Sequence, residues 1–287
     1  MTTVNPEIVD TLPAIVKLVD QLISTHEARN DTLDRPIIHL SLEGANLCRS
    51  GTISILTLLL CEDPQSQQTY LVDVHKLGAY AFSTVGTMRT TLKDILQNGK
   101  IPKVFFDVRN DSDALFARFG IALQGVQDVQ LMDSAAREKR AEREYLSGLP
   151  RCVEHNSIIS FHRRNTWCRD RTAGELVFRV EFGGSREAFS MRPLADDIVS
   201  YCVGDVMWLP ELRNKLWETR TQEWRDFVRD ETERRVAYTH GADYQPGGTD
   251  WVLAPWKDEQ NRVLDRLNGA RDFDGLLDDD EVDEDVE

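Results

Sequence analysis

A chain of 287 residues, 41% hydrophobic and 29% charged, can bury a sizeable core and has the composition of a globular protein. No apolar run approaches the roughly 18 residues a bilayer span needs, so a membrane partner is not expected. The opening MTTVNPEIVD lacks the basic and apolar stretches of a signal peptide, which predicts a cytoplasmic or nuclear address.

Residues 7–30 place Ile8, Leu12, Ile15, Val16, Val19, Leu22 and Ile23 on one helical face, predicting an amphipathic leading helix. Apolar runs at 36–42, 51–60 and 69–74 predict three strands of an antiparallel meander. A helix over 87–99 ends at Asn98-Gly99. A short strand at 103–108 leads through a turn, Arg109-Asn110-Asp111, into a helix stopped by Gly120. Another strand runs into a charged helix over 126–144, where the alternating signs of REKRAERE predict an exposed, ion-paired surface. Residues 147–192 read as irregular, with Gly148, Pro150 and a plain turn at Gly183-Gly184. Residues 194–238 read as helical with a break near Pro210, and 240–256 as a Gly/Pro loop folding back on the domain. This order predicts an α/β fold with a mixed sheet flanked by helices.

The net charge of −15, which argues against a nucleic-acid partner, is unevenly placed. Residues 272–287 hold ten acids and no base, and read as a disordered tail able to dock a basic protein partner. Arg137–Arg192 holds twelve Lys/Arg against eight Asp/Glu. Within it, FHRRNTWCRDR (161–171) interleaves Arg163, Arg164, Arg169 and Arg171 with Phe161, His162 and Trp167; cations grip phosphates and rings stack on unpaired bases, so Arg163, Arg164, Trp167 and Arg169 lead as candidate substrate contacts. A solvated loop with Trp167 packed inward is the plainer reading. The five cysteines are scattered, without a CxxC pair, and read as free thiols.

Three acids stand where backbone geometry could bring them together: Glu43 at a strand end, Asp111 after the 103–108 strand, and Asp205 on a late helix, one turn beyond Tyr201. Converging carboxylates make a hard-oxygen site suited to Mg²⁺ or Mn²⁺. Each also has a plainer reading, as an exposed strand-end acid, a helix cap, or part of an ordinary amphipathic helix. Ser41, two residues before Glu43, shares its strand face. His39 is read as pointing away from both, and Asp196 and Asp197 as helix-start acids.

The segments SLEGANL, KVFFDVRNDSDALF and RPLADDIVSYCVGDVMWLPEL together resemble the motifs of the RNase D-type 3′–5′ exonucleases, the tyrosine-bearing (DEDDy) branch, and their exonuclease 3′–5′ domain-containing subgroup, over roughly residues 36–220. The resemblance implies an RNase H-like fold, with an N-terminal lead (1–34), the exonuclease-like domain (35–225), a helical and loop extension (226–270) and the acidic tail (271–287). It implies two-metal hydrolysis with Mg²⁺ or Mn²⁺ held by Glu43, Asp111 and Asp205, and water positioned by Tyr201. Single-stranded nucleic acid, RNA favoured over DNA, would be shortened from its 3′ end to nucleoside monophosphates. The departure is Ser41, where the family carries an aspartate bridging both metals. A neutral hydroxyl there implies weaker metal binding, and the alternative of a pseudo-nuclease that binds nucleic acid or a protein without cutting. Asp107 is a less direct candidate to compensate.

Overall fold

The computed structural model describes residues 5–29, 35–63, 65–156 and 158–269. The elements in chain order are β1 (Glu7–Val9), α1 (Leu12–Arg29), β2 (Ile38–Glu43), β3 (Ile55–Asp63), β4 (Ser66–Asp73), α2 (Val74–Leu77), α3 (Tyr80–Ser83) and α4 (Leu92–Gln97). There follow β5 (Lys103–Phe105), α5 (Arg109–Phe119), β6 (Val126–Asp128), α6 (Val129–Ala135), α7 (Arg140–Arg143), α8 (Leu149–His155) and α9 (Phe161–Phe178). The chain closes with α10 (Asp196–Val206), α11 (Leu209–Trp217), α12 (Gln222–Thr239) and α13 (Asp258–Gly269).

The strands form one mixed sheet in the order β1-β4-β3-β2-β5-β6. The expected meander is β2-β3-β4, antiparallel, with Ser41 opposite Thr57 and Glu43 opposite Ile55. β5 and β6 add to it in parallel, placing the carboxyl ends of β2, β5 and β6 at one edge of the molecule.

Both sheet faces are covered, and the strands alternate accordingly. Ile38, Leu40 and Leu42 of β2, with Leu56, Leu58 and Leu60 of β3, join α1, α4 and α5 in one apolar core. The opposite face meets a second core, where Leu59 and Val104 pack with Trp208, Trp217, Trp224 and Trp256. A third cluster on that side gathers Ile55, Leu71, Phe189, Ile198, Tyr201 and Cys202. Burying one leucine of this kind is worth about 1.5–3 kcal/mol, so loss of a single layer would be felt throughout.

Several expectations are corrected. Residues 7–9 are not helical: they form β1, parallel to β4, and α1 begins only at Leu12. Three residues are too few for a periodicity to betray a strand. The helix expected over 87–99 is Leu92–Gln97. It starts at a capping box in which Thr91 accepts from the Asp94 N–H while Asp94 accepts from the Thr91 N–H. The charged helix over 126–144 is two helices, α6 and α7, and Arg143 is buried against Asp265 rather than exposed. Residues 147–192 are largely helical, in α8 and the 18-residue α9. α9 escaped recognition because its buried side is made by Trp167 and Gly174 rather than by an apolar stripe.

The segment after residue 225 is integral to these packing layers. α12 runs through that position, Arg235 donates to buried Asp128 at 2.9 Å, and the Trp256 indole donates to Ser134 Oγ at 2.9 Å. The acidic stretch 272–287 lies outside the described residues. No described helix is long and apolar enough to cross a membrane.

Candidate active site

β2 sits mid-sheet, so the face opposite its apolar residues carries His39, Ser41 and Glu43 in line. His39 therefore shares the face of Ser41 and Glu43, contrary to expectation: residues two apart point the same way. It lies at the other end of β2, buried, and burial pushes its imidazole pKa down to about 3. α10 packs across β2 and β3 on this same face.

Asp111 lies within the first turn of α5 rather than in the turn before it. Asp107, with φ of 59°, reverses the chain between β5 and that helix. It is committed elsewhere, to a two-pronged pair with Arg109 at 2.6 Å and to the neighbourhood of Arg235. Burial raises the Asp111 carboxyl well above its usual range, with Glu43, Asp107 and Asp128 adding to the effect and a backbone contact from Leu42 opposing it. Burial likewise pushes Glu43 up to about 8, against the pull of Arg171. The Tyr201 phenol is raised by burial and by Glu43. Glu43 thus bears on both Asp111 and Tyr201, and Arg171, which acts on Glu43, also bonds Asp205. Asp196 and Asp197 do open α10, where acids favour the helix N-terminus.

Arg171, one of the four arginines of the 161–171 stretch, turns inward to Asp205 and Tyr201 instead of outward to a strand. Its guanidinium donates to Asp205 Oδ1 and, at 3.0 Å, to Tyr201 Oη, and it lies 4.6 Å from the Tyr201 ring centre. Glu175 Oε1 stands 3.5 Å from its Nε. The side chains of Arg171 and Asp205 are only 15% and 10% exposed. Two glycines let α9 and α10 approach closely enough for this. A Cβ on Gly174 would lie 2.6 Å from Tyr201 Cβ, and one on Gly204 would lie 3.0 Å from Trp167 Nε1. Trp167 meets Gly204, Arg171 meets Asp205 and Tyr201, and Gly174 meets Tyr201 and Asp197, so the helices run antiparallel. The available sequence signal was the Trp167-x3-Arg171-x2-Gly174 spacing, which shares one helical face.

The remaining basic candidates divide. Trp167 is buried and donates to the Gly204 carbonyl at 3.1 Å, so it presents no face to a base. Arg163 lies 4.8 Å from the Trp208 ring centre, and Arg164 pairs with Glu154 at 2.8 Å. Arg169 is 76% exposed, with Asp170 at 3.4 Å, and Phe161, at the start of the helix, is 71% exposed.

A family model for 3′–5′ exonuclease matches residues 19–220. The chain belongs to the 3′–5′ exonuclease family. Over 97 residues it is 34% identical to the mouse piRNA biogenesis protein EXD1, covering 34% of this chain and 15% of that protein. Over 110 residues it is 30% identical to the silkworm Bombyx mori protein of the same name, covering 38% and 31%. The chain thus spans less than a third of these relatives. In fold it is similar to Trypanosoma brucei RNase D (TM-score 0.67, 20% identity, 93% of this chain and 82% of that one). Escherichia coli RNase D is also similar (TM-score 0.52, 17% identity, 83% and 51%). The mixed sheet with flanking helices is this RNase D-like, RNase H-like fold.

This exonuclease family is generally divalent-metal dependent. A hard cation needs several oxygen donors converging on one point. Among the described residues no three Asp, Glu, His or Cys side chains are arranged to hold a metal ion. Ser41 offers no carboxylate, and Asp205 is occupied by Arg171. As arranged, these residues do not fit a two-cation centre.

Proposed function

We propose that this chain is an RNA-binding member of the 3′–5′ exonuclease family that holds single-stranded RNA without cutting it. The observation that carries the reading is the make-up of the acid centre. Ser41, a neutral hydroxyl, stands two residues before Glu43 in β2, and the Arg171 guanidinium is bound to both Asp205 and Tyr201. A centre so neutralised keeps its shape and loses its affinity for divalent cations.

RNA is favoured over DNA on two grounds. The sequence relatives are named for piRNA biogenesis, and Trypanosoma brucei RNase D has been solved with RNA U12 (TM-score 0.67, 20% identity). Arg169 and Phe161 on the exposed side of α9, with Arg164 5.2 Å from the Phe161 ring centre, supply a cation and a ring for one stretch of strand. The second reading is an active exonuclease using Mg²⁺ or Mn²⁺. It is favoured by family membership.

Anisotropy of labelled single-stranded RNA and DNA, followed by gel analysis of the same samples with Mg²⁺ or Mn²⁺, separates the readings. Saturable, salt-sensitive RNA binding with the strand intact supports the first. Shortening from the 3′ end supports the second, and the absence of both binding and shortening sinks both.

A further inference from the structure

We propose that Arg171 is the resident cation of this acid centre, doing the charge-balancing work of a divalent ion and making the centre independent of metal. The inference rests on the binding-only reading above. Three observations carry it. The guanidinium reaches two of the candidate residues at once, Asp205 and Tyr201, with its face over the Tyr201 ring. The contact is largely removed from solvent, so the attraction is weakly screened. The surrounding helix pair is shaped for it, because Gly174 and Gly204 remove the side chains that would hold α9 away from α10. An arginine on a loose surface helix would have neither the reach nor the seat. The planar fork also explains why arginine serves here: it bonds a carboxylate and a phenol simultaneously, which a lysine ammonium on a flexible stem does less well.

The role makes a prediction opposite to that for an ordinary metal enzyme. Divalent cations leave the wild-type protein unmoved, and become stabilising only when Arg171 is gone. The test is thermal unfolding of the full chain in EDTA and in millimolar Mn²⁺, for wild type, Arg171→Gln, Arg171→Lys and Arg171→Gln/Asp205→Asn. The wild-type Tm is expected to be the same in both conditions. Arg171→Gln leaves the buried Asp205 carboxylate unpaired, and is expected to melt roughly 5–10 °C lower in EDTA and to regain part of this in Mn²⁺. The double variant loses that response, and Arg171→Lys falls between wild type and Gln. A wild-type Tm that climbs with Mn²⁺ overturns the proposal. So does an Arg171→Gln protein that is as stable as wild type in EDTA, or one that Mn²⁺ does not help. Should Arg171→Gln fail to fold, Mn²⁺ calorimetry on the wild type decides, with measurable site binding counting against the proposal and its absence for it. RNA cleavage by the wild type would overturn the binding-only reading instead, and is read out separately.

Discussion

The close seat of α9 on α10 can be tested with a single methyl group. In Gly174→Ala the added Cβ would lie 2.6 Å from Tyr201 Cβ and 2.9 Å from the Asp197 carbonyl oxygen. Carbon atoms at rest stand about 3.5–4.0 Å apart, so the helices must separate by about an ångström. Neither obstacle is a flexible side-chain end. Overpacking of this kind costs about 1–3 kcal/mol. The same shift stretches the 3.0 Å Arg171–Tyr201 bond beyond hydrogen-bonding range and loosens the Asp205 pair. Against this, alanine gains about 1 kcal/mol over glycine in helix propensity. With about 1 kcal/mol for the stretched hydrogen bond, the balance is a net loss of about 1–3 kcal/mol. Urea unfolding at 25 °C, followed by tryptophan fluorescence, measures it as a lowered midpoint at unchanged m. Ala at exposed Thr172 on the same helix gives up only the hydroxyl's 2.8 Å bond to the Cys168 carbonyl, and with its higher helix propensity Thr172→Ala is expected to leave stability nearly unchanged. Gly204→Ala, whose nearest neighbour is Trp167 Nε1 at 3.0 Å, is expected to lose less than Gly174→Ala. A Gly174→Ala protein at least as stable as wild type would show that α9 is not seated in this way.

Other outcomes follow from the same geometry. The unfolded chain protonates His39 near pH 6.5 while the folded chain refuses the proton until about 3, so stability falls as pH drops through that window. Between pH 7.5 and 5 this amounts to about 2 kcal/mol, and His39→Gln should show that much less acid loss in paired urea titrations. Trp167→Phe forfeits the buried bond to the Gly204 carbonyl and should cost about 1–2 kcal/mol, yet leave RNA affinity unchanged in the folded protein. Arg169→Ala should instead weaken RNA binding and reduce its salt dependence, without changing the urea midpoint. Asp128→Ala removes the acceptor for Arg235 and for the Asp107, Val108 and Gln130 N–H groups, and should cost about 3–5 kcal/mol.

The sheet was readable because its strands, covered on both faces, stand in the sequence as short apolar runs bounded by turn residues. The β2-β3-β4 meander and the helix stopped by Gly120, at φ of 59°, stand as expected. Glu43, Asp111, Asp205 and Tyr201 were singled out through the resemblance of their segments to the family motifs, since spacing alone left each with a plainer reading. β1 was too short to signal itself. α9 was hidden because it packs through glycine, tryptophan and arginine, a pattern that hydrophobic periodicity does not detect. That omission had a functional consequence. Read as a basic loop, 161–171 offers its arginines and Trp167 to a strand of RNA. Read as a helix, it turns Trp167 and Arg171 inward, and leaves Arg169 and Phe161 outside. His39 was misplaced by parity, since residues 39, 41 and 43 must share a face in any regular strand.

The central claim is that the exonuclease fold here binds RNA at a centre that no longer cuts. The most direct measurement incubates full-length protein in excess over a 5′-labelled single-stranded RNA, with Mn²⁺ at millimolar concentration, and resolves the strand at single-nucleotide resolution over hours. The account predicts a bound strand that keeps its full length, indistinguishable from the same reaction with Asp205→Asn. A ladder shortening from the 3′ end in the wild type, and absent with Asp205→Asn, would contradict it.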